Sequence, residues 1–104
     1  MEQRETRAPL TQAQQREKIV RSFVRGGRLV SIPVKASKRT VVLEYVAEQL
    51  FEHGRTYEER EITAILGGLY HDPCMLRREL VDANLLARKA DGSAYWLAAQ
   101  AARE

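Results

Sequence analysis

Hydrophobic residues recur at helical spacing in several segments of this chain. The clearest stripes are Val42, Leu43, Val46, Ala47 and Leu50, then Ile62, Ile65, Leu66 and Leu69. Each follows the i, i+3, i+4, i+7 pattern of a helix with one buried face. A shorter stripe runs from Ile19 to Val24, and a fourth segment begins at Asp72. The pattern predicts helices near residues 11–24, 37–52, 58–69 and 72–83.

Polar residues mark where three of these helices begin. Thr11 with Gln14, and Thr56 with Glu59, have the spacing of a capping box. Asp72 is followed by Pro73, which is the usual order of an N-cap and a first helical residue. The third and fourth helices are joined by a short turn, so they form a predicted helix-turn-helix pair.

Short runs of strand-forming residues lie outside the helices. Gly26 and Gly27 end the first helix, and Leu29 to Ile32 form a brief predicted strand before Pro33. Residues 85–97 predict a hairpin that turns at Asp91 and Gly92. The predicted fold is therefore α+β: a winged helix-turn-helix with an extra N-terminal helix and a C-terminal two-stranded wing.

The length of the chain, 104 residues, suits one domain with one hydrophobic core. Residues 1–10 are expected to be a disordered basic arm, and residues 11–104 a single winged-helix domain. Cys74 is the only cysteine, so the fold needs no disulfide. Because no apolar run approaches the roughly 18 residues of a membrane span, we expect a cytoplasmic protein with no membrane contact.

The net charge of +3 is unevenly distributed. Residues 1–40 contain ten Lys and Arg against three Glu, residues 41–70 contain two against six, and residues 71–104 contain five of each sign. The basic character therefore lies in the first 40 residues, which would attract an acidic or phosphate-bearing partner. A solvated basic surface with no partner is the alternative interpretation.

Two sets of basic residues are candidates for binding double-stranded DNA. The segment from Arg25 to Arg39 has no acidic residue, and it supplies the candidate phosphate contacts Arg28, Lys35, Lys38 and Arg39. Arg88 and Lys89 on the predicted wing would extend this surface. In the fourth helix, a helical wheel places Leu76, Leu80 and Ala83 inward and Cys74, Arg77, Arg78, Val81 and Asp82 outward.

Arg77 and Arg78 are the candidate groove contacts, because a guanidinium can donate two hydrogen bonds to guanine. Asp72, Glu79 and Asp82 outweigh them within the same helix, which argues against strong DNA reading by this element. Glu79 is expected to pair with an arginine inside the fold.

Other chemistry has little support in the sequence. His53, His71 and Cys74 are too few soft ligands for a zinc site, so no metal or other cofactor is expected. Cys74 lies in a first helical turn, where a thiolate would be favoured, but a small structural residue is the simpler interpretation. The aromatic side chains Tyr57, Tyr70, Tyr95 and Trp96 fit core closure better than base stacking. No catalytic motif is present, so we do not expect an enzyme.

The residues that carry these predictions also match a known pattern. They are Gly27, Arg28, Leu29, Ile32, Pro33, Lys35, Lys38, Arg39, Tyr57, Glu59, Glu61, Asp72, Leu76, Arg77, Arg78, Leu80, Val81, Asp82, Leu86, Arg88, Asp91, Gly92, Tyr95 and Trp96. In this order they resemble the bacterial domain-of-unknown-function family 2087 over residues 28–97. Two positions depart from that pattern: the family tends to have Ser or Thr at Glu58 and Asn at Thr63.

The resemblance implies a small winged-helix-like module found alone or attached to helix-turn-helix regulators. It implies no catalytic residue and no cofactor. The departure at Glu58 raises the prospect of a helix cap at Thr56, and the departure at Thr63 is expected to alter a polar contact inside the module. The preferred function is a DNA-binding transcriptional regulator. The alternative is a protein-interaction or ligand-sensing module that reuses the fold, and residues 11–24 are a candidate arm for a homodimer.

Overall fold

The computed structural model describes residues 10–98, which form four helices and two small antiparallel sheets. The helices are α1 (Gln12–Phe23), α2 (Ala36–Leu50), α3 (Glu59–Gly67) and α4 (Pro73–Asp82). The strands are β1 (Val24–Arg25), β2 (Arg28–Leu29), β3 (Thr56–Tyr57), β4 (Leu86–Arg88) and β5 (Tyr95–Leu97). The α+β class is confirmed, and nearly all of the predicted N-terminal arm lies outside the described residues.

The first helix begins as the sequence predicts. The N–H of Gln14 donates to Oγ1 of Thr11 at 3.0 Å, and the N–H of Thr11 donates to Oε1 of Gln14 at 2.9 Å. This reciprocal pair completes a capping box. Helix α1 has no fully buried residue. It packs against the hydrophobic core through the partly buried side chains of Ile19 and Phe23. Its role as a dimer arm stays a prediction.

The predicted cap of α3 at Thr56 is wrong. Thr56 belongs to β3, the helix is capped at Glu58, and the N–H of Glu58 donates to Oε1 of Glu61 at 3.3 Å. The capping-box spacing was therefore read two residues too early. A strand of two residues is too short to show an alternating pattern, so β3 gave no signal of its own.

The chain reverses between α1 and α2 through a hairpin that the sequence located only in part. β1 pairs antiparallel with β2, with Val24 opposite Leu29 and Arg25 opposite Arg28. Gly26 and Gly27 have φ values of 60° and 79°, as a tight two-residue hairpin turn requires. The predicted strand at residues 29–32 is displaced to Arg28–Leu29. The prediction that the glycine pair ends the first helix is wrong, because β1 lies between α1 and the glycines, which form the hairpin turn.

The second sheet brings distant parts of the chain together. Its strand order is β3-β5-β4, with Tyr57 opposite Tyr95 and Arg88 also opposite Tyr95. The central strand β5 is therefore held on both sides, by the segment between α2 and α3 and by the strand after α4. Within the described residues, no helix is long and apolar enough to cross a membrane.

One hydrophobic core joins the helices to this sheet. Its fully buried side chains include Val42, Leu43, Val46, Tyr57, Ile62, Leu66, Leu76, Leu80 and Leu86. The predicted inward stripes of α2 and α3 supply more than half of these. Burial of each large aliphatic side chain contributes about 1.5–3 kcal/mol to folding, so this core is what fixes α4 against α3 and the sheet.

Candidate nucleic-acid interface

Helix α4 is anchored as the sequence predicts. The N–H of Met75 donates to Oδ1 of Asp72 at 3.1 Å, and Pro73 occupies the first turn. Leu76 and Leu80 are completely buried, whereas Ala83 is the C-terminal cap and is only half-buried. The residues available to a partner are therefore those on the opposite face of α4.

The structure divides the predicted outward residues of α4 into two groups. Cys74, Arg78 and Asp82 are exposed, as predicted. The outward placement of Arg77 and Val81 is wrong, because the side chain of Arg77 is only 13% exposed and Val81 packs against the core. A helical wheel drawn for α4 alone misses this, because the N-terminus of α3 and strand β5 cover one flank of the helix.

Arg77 makes its contacts inside the domain. Its Nη1 donates to Oγ1 of Thr63 at 2.8 Å and lies 3.4 Å from Oε2 of Glu59. Its guanidinium carbon also lies 5.6 Å from the centre of the Tyr95 ring. These contacts turn the guanidinium toward α3 and β5 and leave the side chain only 13% exposed, so the predicted role of Arg77 in DNA reading loses its geometric support.

Strands β4 and β5 and their connecting turn project beside α4. In the turn, the N–H of Gly92 donates to the carbonyl of Lys89 at 2.8 Å, and the N–H of Lys89 donates to the carbonyl of Ala94 at 3.0 Å. The N–H of Ser93 donates to Oδ1 of Asp91 at 2.9 Å. Hydrogen bonds from the side chain and backbone of Ser93 lower the pKa of Asp91, with a smaller contribution from the charge of Arg88.

A polar cleft of about 360 Å³ separates α4 from this hairpin. Its charged lining residues are Glu59, Arg77, Arg78, Asp82, Arg88 and Asp91. Three guanidiniums therefore face three carboxylates. Because the charges balance, the cleft is not by itself a strongly attractive site for an anion.

The predicted basic loop lies next to helices α3 and α4. Nη1 of Arg28 donates to the carbonyl of Gly68 at 3.2 Å, and the backbone N–H of Leu29 donates to the carbonyl of Leu69 at 2.9 Å. Both contacts are at the turn between α3 and α4. Strand β2 is thereby fixed beside the start of the predicted DNA-reading helix.

Arg39 differs from the other basic residues of the loop. Its Nη1 donates to the carbonyl of Val34 at 2.6 Å, and its Nε lies 4.0 Å from Oε1 of Glu79. This identifies Arg39 as the arginine that pairs with Glu79. The contact also places the N-terminus of α2, with the exposed Lys35 and Lys38, against α4.

Of the eight candidate contacts, four basic side chains have no partner within residues 10–98. Lys35, Lys38, Arg78 and Lys89 are exposed and form no hydrogen bond or ion pair with another residue of the described part. Arg28 and Arg88 are also exposed, although Arg28 spends one donor on Gly68. The structure thus keeps six of the eight predicted contact residues on the surface and draws Arg39 and Arg77 into the fold.

Comparison with known proteins adds a family to this geometry. Residues 28–97 match the model of DUF2087, which is described as an uncharacterized protein conserved in bacteria. The chain belongs to the DUF2087 family. No curated protein and no solved structure matches it.

The matched region of the DUF2087 domain begins at β2 and ends with β5. It therefore contains α2, α3, α4 and the whole three-stranded sheet, but not α1 or β1. All eight candidate contact residues fall inside it. The basic surface around α4 is thus part of the family domain and not of the additional N-terminal helix.

The two departures from the family pattern have different structural consequences. Glu58 still serves as the N-cap residue of α3, so the cap does not move to Thr56. Thr63 accepts the hydrogen bond from Arg77, which is the kind of internal polar contact expected at that position.

Sequence reasoning missed Glu59 as a partner of Arg77. The two residues are 18 positions apart, and the sequence pattern around Glu59 predicts a role in a helix cap. The residue pattern within one helix does not show which polar residue of another helix it will contact. The predicted core roles of Tyr57, Tyr70 and Tyr95 are confirmed, since each is at most 5% exposed.

Proposed function

We propose that the DUF2087 domain is a winged helix-turn-helix that binds double-stranded DNA and acts as a small transcriptional regulator. In this proposal α3 and α4 are the helix-turn-helix pair, α4 enters the major groove, and the β4–β5 hairpin is the wing. The fold supports this because the hairpin follows α4 directly and is completed by β3, the strand between α2 and α3. A helix and a hairpin held side by side can contact one duplex together.

The observation that carries the proposal is the placement of exposed cations on several sides of α4. Arg28 lies at the turn before the helix. The segment with Lys35 and Lys38 is attached to the helix through Arg39 and Glu79, and Lys89 lies in the turn of the wing. Contacts from a loop, a helix start and a hairpin would follow the backbone phosphates of one duplex. Arg78, the exposed arginine of α4, is left as the groove contact.

The experiment is fluorescence anisotropy with mixed-sequence duplex DNA over a salt series. The wild-type domain should bind, and its affinity should fall steeply with salt as counterions are released. Lys35→Ala combined with Lys38→Ala should weaken binding to every sequence and reduce the slope of log affinity against log salt by about 2. Arg78→Ala should instead reduce the difference in affinity between sequences.

A matched control distinguishes contact from bulk charge. Arg21 on α1 is exposed and pairs only locally with Glu17, so Arg21→Ala removes a cation outside the proposed surface. Its salt slope should stay close to that of the wild type. If the control and the lysine variant lost the same DNA affinity per charge removed, the result would contradict the site assignment.

The second candidate function is a protein-interaction or ligand-sensing module. It is favoured by the acidic residues of α4 and by the balanced charge of the cleft beside the wing, both of which oppose a polyanion. Absence of binding to duplex DNA even at low salt would decide for this candidate, because phosphate contacts are strongest there.

A further inference from the structure

Arg77 lies where α3, α4 and the β4–β5 hairpin meet. Its guanidinium contacts Thr63 and Glu59 on α3 and lies over the ring of Tyr95 on β5. One side chain of α4 therefore touches both of the elements that flank it. At 13% exposure, it does so largely out of water.

Glu59 extends this contact to the tip of the hairpin. Its Oε2 faces Arg77, while its Oε1 lies on the other side, 3.5 Å from the position that a Cβ at Gly92 would occupy. Nη1 of Arg88 lies 3.4 Å from that same position. The carboxylate of Glu59 thus stands between the arginine of the helix and the turn of the hairpin. We call Glu59, Arg77, Arg88 and Tyr95 the wing bracket.

The chemistry of the wing bracket explains why an arginine is required. A guanidinium has donors fixed in a plane, so it can reach the Thr63 hydroxyl and the Glu59 carboxylate while its face covers an aromatic ring. A lysine ammonium could also donate to Thr63 and Glu59, but it has no planar face to lie over the Tyr95 ring. Since a buried charge is costly without partners, Arg77 holds the neighbouring elements at the spacing that keeps it paired.

The hairpin needs such a restraint. Each of its strands has three residues, and its turn from Lys89 to Ala94 is mostly exposed. Its strands are held by β3 and by the hydrophobic core, so the part of the hairpin that still needs a restraint is its turn. β3 pairs with β5 at Thr56 and Tyr57, but it does not reach the turn.

We propose that Arg77 is a positioning residue that fixes the β4–β5 hairpin relative to α4, and is not itself a DNA contact. It sets the distance between Arg78 on the helix and Lys89 on the turn. The effect of Arg77 on DNA affinity rests on the proposed function, whereas its effect on the order of the hairpin does not. The two parts can therefore be tested separately.

The first test is hydrogen exchange of the wing amides, with no DNA present. Arg77→Met removes the charge and the hydrogen bonds while keeping a long side chain, and Arg78→Met is the matched control on the exposed face of the same helix. Arg77→Met should speed exchange of the Lys89 and Gly92 N–H groups about tenfold relative to the core amide of Val46, because a charge-assisted contact is lost. Arg78→Met should leave that ratio unchanged.

Two results would overturn the positioning role: equal acceleration at Val46 and Gly92 in Arg77→Met, or the same wing effect in Arg78→Met. Thr63→Val removes one acceptor at nearly constant volume and keeps the test usable if Arg77→Met does not fold. It should give a smaller acceleration confined to the same amides. Arg77→Lys should restore less than half of the wild-type protection.

The second test is a double-mutant cycle with Lys89→Ala, measured by anisotropy on duplex DNA. If Arg77 positions the wing, Lys89→Ala should cost less affinity in Arg77→Met than in the wild type, because the wing contact is already weakened. Additive losses, with a further drop in salt slope of about 1 for Arg77→Met, would identify Arg77 as a phosphate contact. If the wild type binds no DNA, the proposed function fails, and the exchange experiment alone decides the role of Arg77.

Discussion

The β1–β2 hairpin and the β4–β5 hairpin both reverse the chain directly after a helix, but different contacts hold them in place. In the first, Gly26 and Gly27 form the turn, and beyond the adjacent residues no atom of the described chain lies within 4 Å of a Cβ added at either position. In the second, Gly92 is buried beside Arg88 and Glu59. The turn of the first hairpin therefore depends on local geometry, and the turn of the second also depends on contacts with side chains around it.

The two hairpins also differ in whether their arginines have acidic neighbours. Arg25 and Arg28 face each other across β1 and β2 and are both exposed. Like charges directly opposite each other are destabilising. On the wing, Arg88 has Glu59 and Asp91 nearby, so its charge is balanced. The first hairpin retains unbalanced charge for a partner, whereas the second uses charge to fix its own position.

The largest expected difference between the hairpins concerns their inward side chains. Tyr95 on β5 is 3% exposed, and Tyr95→Ala should lower the free energy of unfolding by about 3–5 kcal/mol, as for other buried aromatic residues. Val24 on β1 is half-buried, and Val24→Ala should cost only about 1 kcal/mol. Urea denaturation measures both. Similar losses would contradict the view that β5 lies deeper in the core than β1.

A smaller difference is expected at the turns. Gly27 and Gly92 have φ values of 79° and 78°, so alanine at either should cost about 1–2 kcal/mol. Asparagine tolerates this conformation. Gly27→Asn should therefore recover stability relative to Gly27→Ala, whereas Gly92→Asn should not, because its side chain must displace Arg88 and Glu59. Recovery at both positions in urea denaturation would show that the wing turn is as open as the first.

The contrast also explains what the sequence could predict. Helices α1 and α4 begin within one residue of their predicted starts, because Thr11 and Asp72 are local signals that act through the next three residues. The inward positions of Leu76 and Leu80 follow from helical periodicity alone. These features require no knowledge of neighbouring elements.

The errors concern contacts between elements. Periodicity predicts an outward Arg77 because it ranks positions on an isolated helix and does not show that α3 and β5 cover one flank. The sequence predicts a DNA contact at Arg39, but Arg39 pairs with Glu79 on another helix. Of the candidate surface, the sequence therefore predicts which residues are cationic, and the structure decides which of them are available.

The smallest expected difference is in pH dependence. The pKa of Asp91 lies below its ordinary value of 3.8, because Ser93 donates to the ionised carboxylate. A lowered pKa means that Asp91 stabilises the wing turn at pH values above 3.8, and that this contribution is lost as the pH falls through the folded-state value. The β1–β2 hairpin has no acidic residue between Val24 and Leu29, so its turn has no such group.

NMR titration of the Ser93 and Gly26 amides should show an acid transition at Ser93 and none at Gly26. Asp91→Asn keeps a side-chain acceptor but cannot ionise, so it should abolish the transition at Ser93. A transition that survives in this variant would contradict the assignment to Asp91.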